Sequence, residues 1–120
     1  MEINMGFLKQ LFGGTGNFEA IVKKSPNKIG VYIAKLNGKV VYIGRAIENR
    51  PGQSPSGLRK RLQEHWRGAS AGNKKLYKFR DKLKIELKPC KSVEATKKLE
   101  AKLIRKYNTV EKGWNKRYED

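Results

Sequence analysis

Two β-rich runs on either side of Asn37-Gly38 constrain this chain more than any other feature in it. Residues 29–36 (IGVYIAKL) and 39–44 (KVVYIG) are dense in β-branched and aromatic side chains. An Asn-Gly pair between two such runs is a strong local mark of a β-hairpin. Two registers suit the turn. A two-residue loop pairs Leu36 with Lys39 and sets Tyr32 opposite Ile43, which puts Tyr32 and Tyr42 on opposite faces because strand side chains alternate. A three-residue loop, Leu36-Asn37-Gly38 with Gly38 left-handed, pairs Lys35 with Lys39 and sets Tyr32 directly across from Tyr42. The second register is expected, since only it brings both phenols to one face. Ordinary strand tyrosines, favoured by β propensity, are the alternative reading.

Around this hairpin the chain reads as one domain over residues 1–120. Residues 1–28 form an N-terminal helix and connector, and 29–115 form the core. In residues 5–12 (MGFLKQLF), Phe7, Leu8, Leu11 and Phe12 have helical spacing, and Gly13-Gly14 stop the helix. Residues 15–28 read as a mixed connector with turn chemistry at Ser25-Pro26-Asn27. Residues 49–57 (NRPGQSPSG) are a loop. Over residues 58–67, Leu58, Leu62 and Trp66 make a stripe at i, i+4, i+8. A loop at 68–75 and a helical turn at 76–82 follow. Residues 83–88 alternate Leu83, Ile85, Leu87 with Lys84, Glu86, Lys88, a strand with one buried face that Pro89 ends. Ser92 caps a helix to about Tyr107, with Glu94 in its first turn. The tail 108–120 is irregular, and Trp114 anchors it. The expected class is α+β, with a small three-stranded, mainly antiparallel sheet flanked by helices.

Charge and cysteine content narrow the function. The chain has 28 Lys plus Arg against 11 Asp plus Glu, a formal charge of +17. Such a charge opposes compaction and points to a polyanionic partner, with nucleic acid ahead of an anionic membrane surface. One cysteine, Cys90, and one histidine exclude a disulfide framework and a zinc finger. Cys90 reads as a structural thiol. No run is apolar enough to span a membrane, and the first twelve residues lack a cleavage-site pattern, so a reducing, cytoplasmic setting is expected.

Two helices break their own amphipathic pattern. Arg61 and His65 share one row about 100° from the Leu58-Leu62-Trp66 stripe, at the edge of the buried face. A guanidinium and an imidazole there can reach one phosphate; with Arg59, Lys60 and Arg67 beside them, a solvated basic helix is the alternative. On the helix of 93–107, Leu99, Leu103, Ile104 and Tyr107 define the apolar arc, and Glu100 falls inside it. A core-facing acid costs several kcal/mol, by order of magnitude, unless it is paired or bound to a cation. It is either an internal salt bridge to an arginine such as Arg61 or a ligand for a hard divalent cation.

Together these residues resemble the GIY-YIG nuclease superfamily. Gly30-Val31-Tyr32 and Tyr42-Ile43-Gly44 are similar to its two signature motifs, with Val31 in place of the usual isoleucine. Arg45 follows the second motif, Arg61 and His65 form an R-x-x-x-H on a helix, Glu100 lies in LEAKLIRKYN, and Asn115 in GWN. All five occur in order across residues 30–115. The resemblance implies an endonuclease that hydrolyses DNA phosphodiesters with one divalent cation, Mg²⁺ or Mn²⁺. It implies that Tyr32 acts as general base or orients the attacking water, with Tyr42 in support. Arg61 would bind the scissile phosphate, His65 assist proton movement or phosphate binding, Glu100 hold the metal, and Asn115 tie the tail onto the site. Arg45, Arg59, Lys60 and Arg67 are the candidate substrate-binding cations. A phenol has a pKa near ~10, so Tyr32 serves as base only if Arg45 or Arg61 lowers it. The stretch between Tyr42 and Arg61 is longer than is usual in the family. With no second DNA-binding domain expected, target choice falls to this surface or to a partner protein. Low sequence specificity with selection for a DNA structure or strand follows, in repair, recombination or mobile-element biology; RNA is a further polyanion of the right kind. The competing function is a non-catalytic basic nucleic-acid-binding module of the same fold.

Overall fold

The computed structural model describes residues 14–69 and 73–117. The helix expected over 5–12 lies outside them. The described elements are β1 (Gly14–Asn17), α1 (Phe18–Lys24), β2 (Gly30–Leu36), β3 (Lys39–Ala46), α2 (Gly57–Arg67), α3 (Lys74–Lys78), β4 (Leu83–Pro89), α4 (Val93–Tyr107) and α5 (Thr109–Lys112). No helix among the described residues is long and apolar enough to cross a membrane.

The sheet has four strands in the order β1-β4-β2-β3, antiparallel throughout. The α+β class holds, but the expectation of three strands is corrected by β1. Its sequence, GTGN, has almost no β propensity, and it forms because β4 offers an open edge along Leu87 to Lys84. Residues 15–28 are likewise not a plain connector. Phe18, Ile21 and Val22, at i, i+3, i+4, are the buried side of α1.

β2 runs through the centre and is buried on both faces, which splits the core in two. Tyr32 and Ala34 join Leu58, Leu62, Leu76, Leu83 and Ile85 under α1, α2 and α3. Val31, Ile33 and Ile43 pack against Leu103 and Ile104 of α4. α4 starts as its sequence implies, with the Ser92 hydroxyl accepting from the Ala95 N–H at 3.0 Å.

The hairpin takes neither simple register. Asn37 (φ 53) and Gly38 (φ 80) form a two-residue turn, the conformation that Asn-Gly favours, and Leu36 pairs with Lys39 and Lys35 with Val40. Beyond that, Val41 is an extra residue in β3. Pairing resumes with Ala34 opposite Tyr42, Ile33 opposite Ile43 and Tyr32 opposite Gly44. The three-residue loop and the direct Tyr32–Tyr42 pair are therefore corrected. The phenols still share a face, because the bulge at Val41 shifts the register by one. The carbonyl of Val41 accepts from the Trp114 N–H at 2.6 Å, so the C-terminal segment is fastened to the bulge.

Candidate active site

On the α2 side of the sheet, Tyr32 and His65 are both buried to 1% exposure, and the Tyr32 hydroxyl lies 2.8 Å from His65 Nε2. Burial first, then the charge of Arg61, lowers the His65 pKa from 6.5 to about 3. The imidazole is therefore neutral, and its Nε2 accepts from the Tyr32 hydroxyl in the tautomer that carries the ring proton on Nδ1. Burial also drives the Tyr32 pKa well above 10; Tyr42 adds to this, and Arg61 opposes it without prevailing. In this environment desolvation outweighs the lowering by Arg61, and the Tyr32 phenol keeps its proton at neutral pH.

Arg61 lies beside this pair. Burial works against its charge, but Tyr32 and Tyr42 beside it more than compensate, and its Nη1 donates to Glu64 Oε1 at 3.4 Å. Tyr42 is half-buried, with its ring centroid 6.2 Å from that of Tyr32 and 6.5 Å from that of His65. Of the two phenols it is therefore Tyr42 that solvent reaches.

Arg45 pairs with Val31 across β2 and β3 and so projects to the α4 side. There its Nη1 lies 3.3 Å from Glu100 Oε1, and the Glu100 side chain is 0% exposed. The ion-pair partner is thus Arg45 and not Arg61. The Glu100 charge is still felt at Tyr32 across the sheet. A cleft of about 240 Å³ at this edge is lined by Arg45, Lys60 and Arg61 together with Glu48 and Glu64, so cations from both faces of the sheet meet in it. Glu64 contacts Arg61 at 3.4 Å and Glu48 contacts Lys60 at 3.3 Å. These two acids escaped the sequence reading; Glu64 was legible as an i+3 neighbour of Arg61.

Glu100 fits a hard cation such as Mg²⁺, which commonly uses one or two carboxylates and keeps several waters. No group of three or more His, Cys, Asp or Glu among the described residues could hold a metal ion, so Glu100 would serve as a single carboxylate ligand with water completing the shell. Two candidate cations fall elsewhere. Arg59 reaches the Ser25 carbonyl at 3.5 Å, toward the end of α1, and Arg67 is exposed on the far flank of α2. Asn115 accepts from the Ile43 N–H at 2.9 Å and donates to the Ile43 carbonyl at 2.8 Å. With both ends of its amide committed to β3, it fastens the tail to that strand.

The His65 pKa has a consequence for stability. A depressed folded value means the unfolded chain binds the proton more readily. Its contribution is complete above pH 6.5 and is lost as pH falls toward about 3. The full span corresponds to at most about 5 kcal/mol. Urea titrations at pH 7 and pH 4.5 should show a marked loss for the parent protein and a much flatter response for His65→Gln; parallel pH profiles would contradict a buried neutral imidazole.

Helices on both faces of a small antiparallel sheet, with the two tyrosine motifs adjacent on it, define a compact α+β class. No family model matches the chain. Over 87 residues it is 34% identical to UvrABC system protein C of Fervidobacterium nodosum, a stretch covering 72% of this chain and 14% of that protein. The chain thus spans about a seventh of the curated relative it matches. Among solved structures it resembles the GIY-YIG N-terminal endonuclease domain of UvrC from Thermotoga maritima bound to its catalytic magnesium. The TM-score is 0.59 at 25% identity, covering 76% of this chain and 90% of that one. An asparagine-to-alanine variant of the same domain, also with its divalent cation, gives a TM-score of 0.59 at 25% identity over 76% and 89%. The chain belongs to the GIY-YIG nuclease superfamily.

Proposed function

We propose that this domain is a metal-dependent endonuclease that hydrolyses DNA phosphodiester bonds. The observation that carries the reading is Glu100, an acid sealed in the core beside a cleft of cations in a chain of charge +17. A magnesium or manganese ion held by Glu100 would supply Lewis-acid assistance to the phosphate and leaving oxygen. The remaining chemistry belongs to the side chains. Arg61 takes the scissile phosphate and offsets the charge that grows on it, which is most of what phosphoryl transfer asks of a protein. Tyr32 and His65 hold Arg61 in place from behind, the phenol oxygen accepting from the guanidinium and passing its own proton toward the neutral imidazole. Tyr42, half-buried beside Arg61, orients the attacking water. Arg45 and Lys60 extend the cationic floor for neighbouring phosphates.

Guanidinium and ammonium groups in the cleft address phosphates, which position a nucleic acid without reading its bases. This supports low sequence specificity, with selection by DNA structure or strand. The curated relative belongs by name to a multi-protein UvrABC system, which supports a partner protein that directs this domain to its target in repair.

Labelled single-stranded, duplex and branched DNA, incubated with and without Mg²⁺ or Mn²⁺, tests the reading. Cleavage is expected only with metal, and Glu100→Ala should abolish it while leaving DNA retention on gels within about twofold. Binding without cleavage on every substrate would favour the non-catalytic module. Cleavage that survives Glu100→Ala would dissociate the activity from this site.

A further inference from the structure

The chain from Arg61 through Tyr32 to His65 works in only one tautomer of the imidazole. If the proton sits on Nε2, His65 donates to the Tyr32 oxygen, which then competes with Arg61 and turns the phenol proton elsewhere. The proton must sit on Nδ1, and an N–H sealed from solvent needs an acceptor. Among the described residues Nδ1 has none, although the side chain is 1% exposed. Leaving such a group unsatisfied carries a substantial desolvation cost.

The surroundings supply a place for an acceptor. His65 lines a partly open pocket of about 240 Å³ between α2 and α3, with Gly68, Asn73, Lys74 and Tyr77. Its wall mixes polar and apolar groups. The Asn73 amide is already engaged, donating to the Trp114 carbonyl at 2.8 Å and accepting from the Lys75 N–H at 2.9 Å. The side-chain groups left to hold a guest are the Lys74 ammonium and the Tyr77 hydroxyl. The volume exceeds what one water needs, and a roomy pocket with polar groups beside an unsatisfied buried donor is where ordered waters reside. Lys74 and His65 Nδ1 are both donors, so the guest must accept; water does so and can donate in turn to Tyr77.

We propose that this pocket is a specific water site, and that its water accepts from His65 Nδ1–H and fixes the tautomer in which Nε2 accepts from Tyr32 and leaves the phenol oxygen turned to Arg61. The proposal rests on the role given above to Tyr32 and His65, and it makes Lys74 and Tyr77 positioning residues that act through the water. The logic is that of a base oriented by a third group, with water in the third place.

His65 is the only histidine in the chain, so ¹⁵N-histidine labelling yields one ring spin system. The parent protein at pH 7 should show a protonated Nδ1, an unprotonated Nε2, and a water cross-peak at the Nδ1 proton. The double variant Lys74→Leu/Tyr77→Phe removes the two side-chain groups left to hold a guest, at exposed positions on α3. It should give a mixed tautomer population and a single-turnover cleavage rate about fivefold lower, the worth of one neutral hydrogen bond. Lys112→Leu, which removes the same charge on α5, should keep the parent spectrum and rate. An Nε2–H tautomer in the parent, no water contact at Nδ1, or an unchanged spectrum in the double variant overturns the proposal. Tyr32→Phe separates it from the reading beneath it. If Tyr32→Phe cleaves at the parent rate, the hold on Arg61 is wrong, whereas the ring spectrum decides the water site independently of cleavage.

Discussion

Arg61→Ala should lower the single-turnover cleavage rate about a thousandfold, with folding stability nearly unchanged. The magnitude follows from what one preorganised cationic donor contributes when charge develops on a phosphoryl group. The fold should tolerate the change, because α2 is held by Leu58, Leu62 and His65, and the Arg61 side chain is one-third exposed. Arg61→Lys should recover little, since an ammonium cannot span the Tyr32 hydroxyl and a phosphate with one planar group. The same variant carries an internal check. The Arg61 charge is the second cause of the low His65 pKa, so removing it should raise that pKa while burial keeps it below 6.5. A slow enzyme with an unmoved His65 would mean that Arg61 acts at a distance from this cluster.

Gly44→Ala should be damaging for a different reason. Tyr32 pairs with Gly44 across the hairpin, and its ring lies over that residue. A Cβ at Gly44 would fall inside the Tyr32 ring at Cζ and the hydroxyl. The ring has nowhere to go in a packed core, so either β3 bows outward or the phenol leaves His65. Overpacking of this kind costs about 3 kcal/mol, and a displacement near one ångström at the hold on Arg61 should cost about a hundredfold in rate. Chemical denaturation reads the first effect and single-turnover cleavage the second. The two residues should also be coupled, with Gly44→Ala costing much less stability in a Tyr32→Ala background, where the space is open. Additive costs would show that the ring and the glycine do not meet as described. The glycine of the second motif is thus a steric requirement of the tyrosine of the first.

Much of this architecture could be read from the residues because it has a period. The stripe of α2, the alternation of β4 and the capped arc of α4 were each visible, and so was the hairpin. β1 was not, because Gly-Thr-Gly-Asn is a strand only by virtue of its partner. The register was missed because the extra residue lies at Val41, and nothing in the local sequence marks a bulge there. The device that fixes it, the Trp114 N–H on the Val41 carbonyl, comes from the far end of the chain. His65 and Glu100 were conspicuous as polar residues at buried positions. Their partners were not: Arg45 meets Glu100 across 55 residues, and Tyr32 meets His65 across 33. The protonation of Tyr32 was hidden for the same reason. Its burial, which sets its protonation, depends on two layers that a linear reading cannot stack.

The clasp of Asn115 on Ile43, 72 residues apart, bears on how the protein comes into being. A nascent chain emerged as far as α4 already has Tyr32, Arg61, His65 and Glu100, but its outermost strand still presents bare backbone to the cell. Only when Trp114 and Asn115 appear is that strand closed and the register beneath the tyrosines fixed. The edge of the sheet that carries Tyr42 is thus covered by a segment 72 residues further on, and strand-to-strand association at that edge is what the cover prevents.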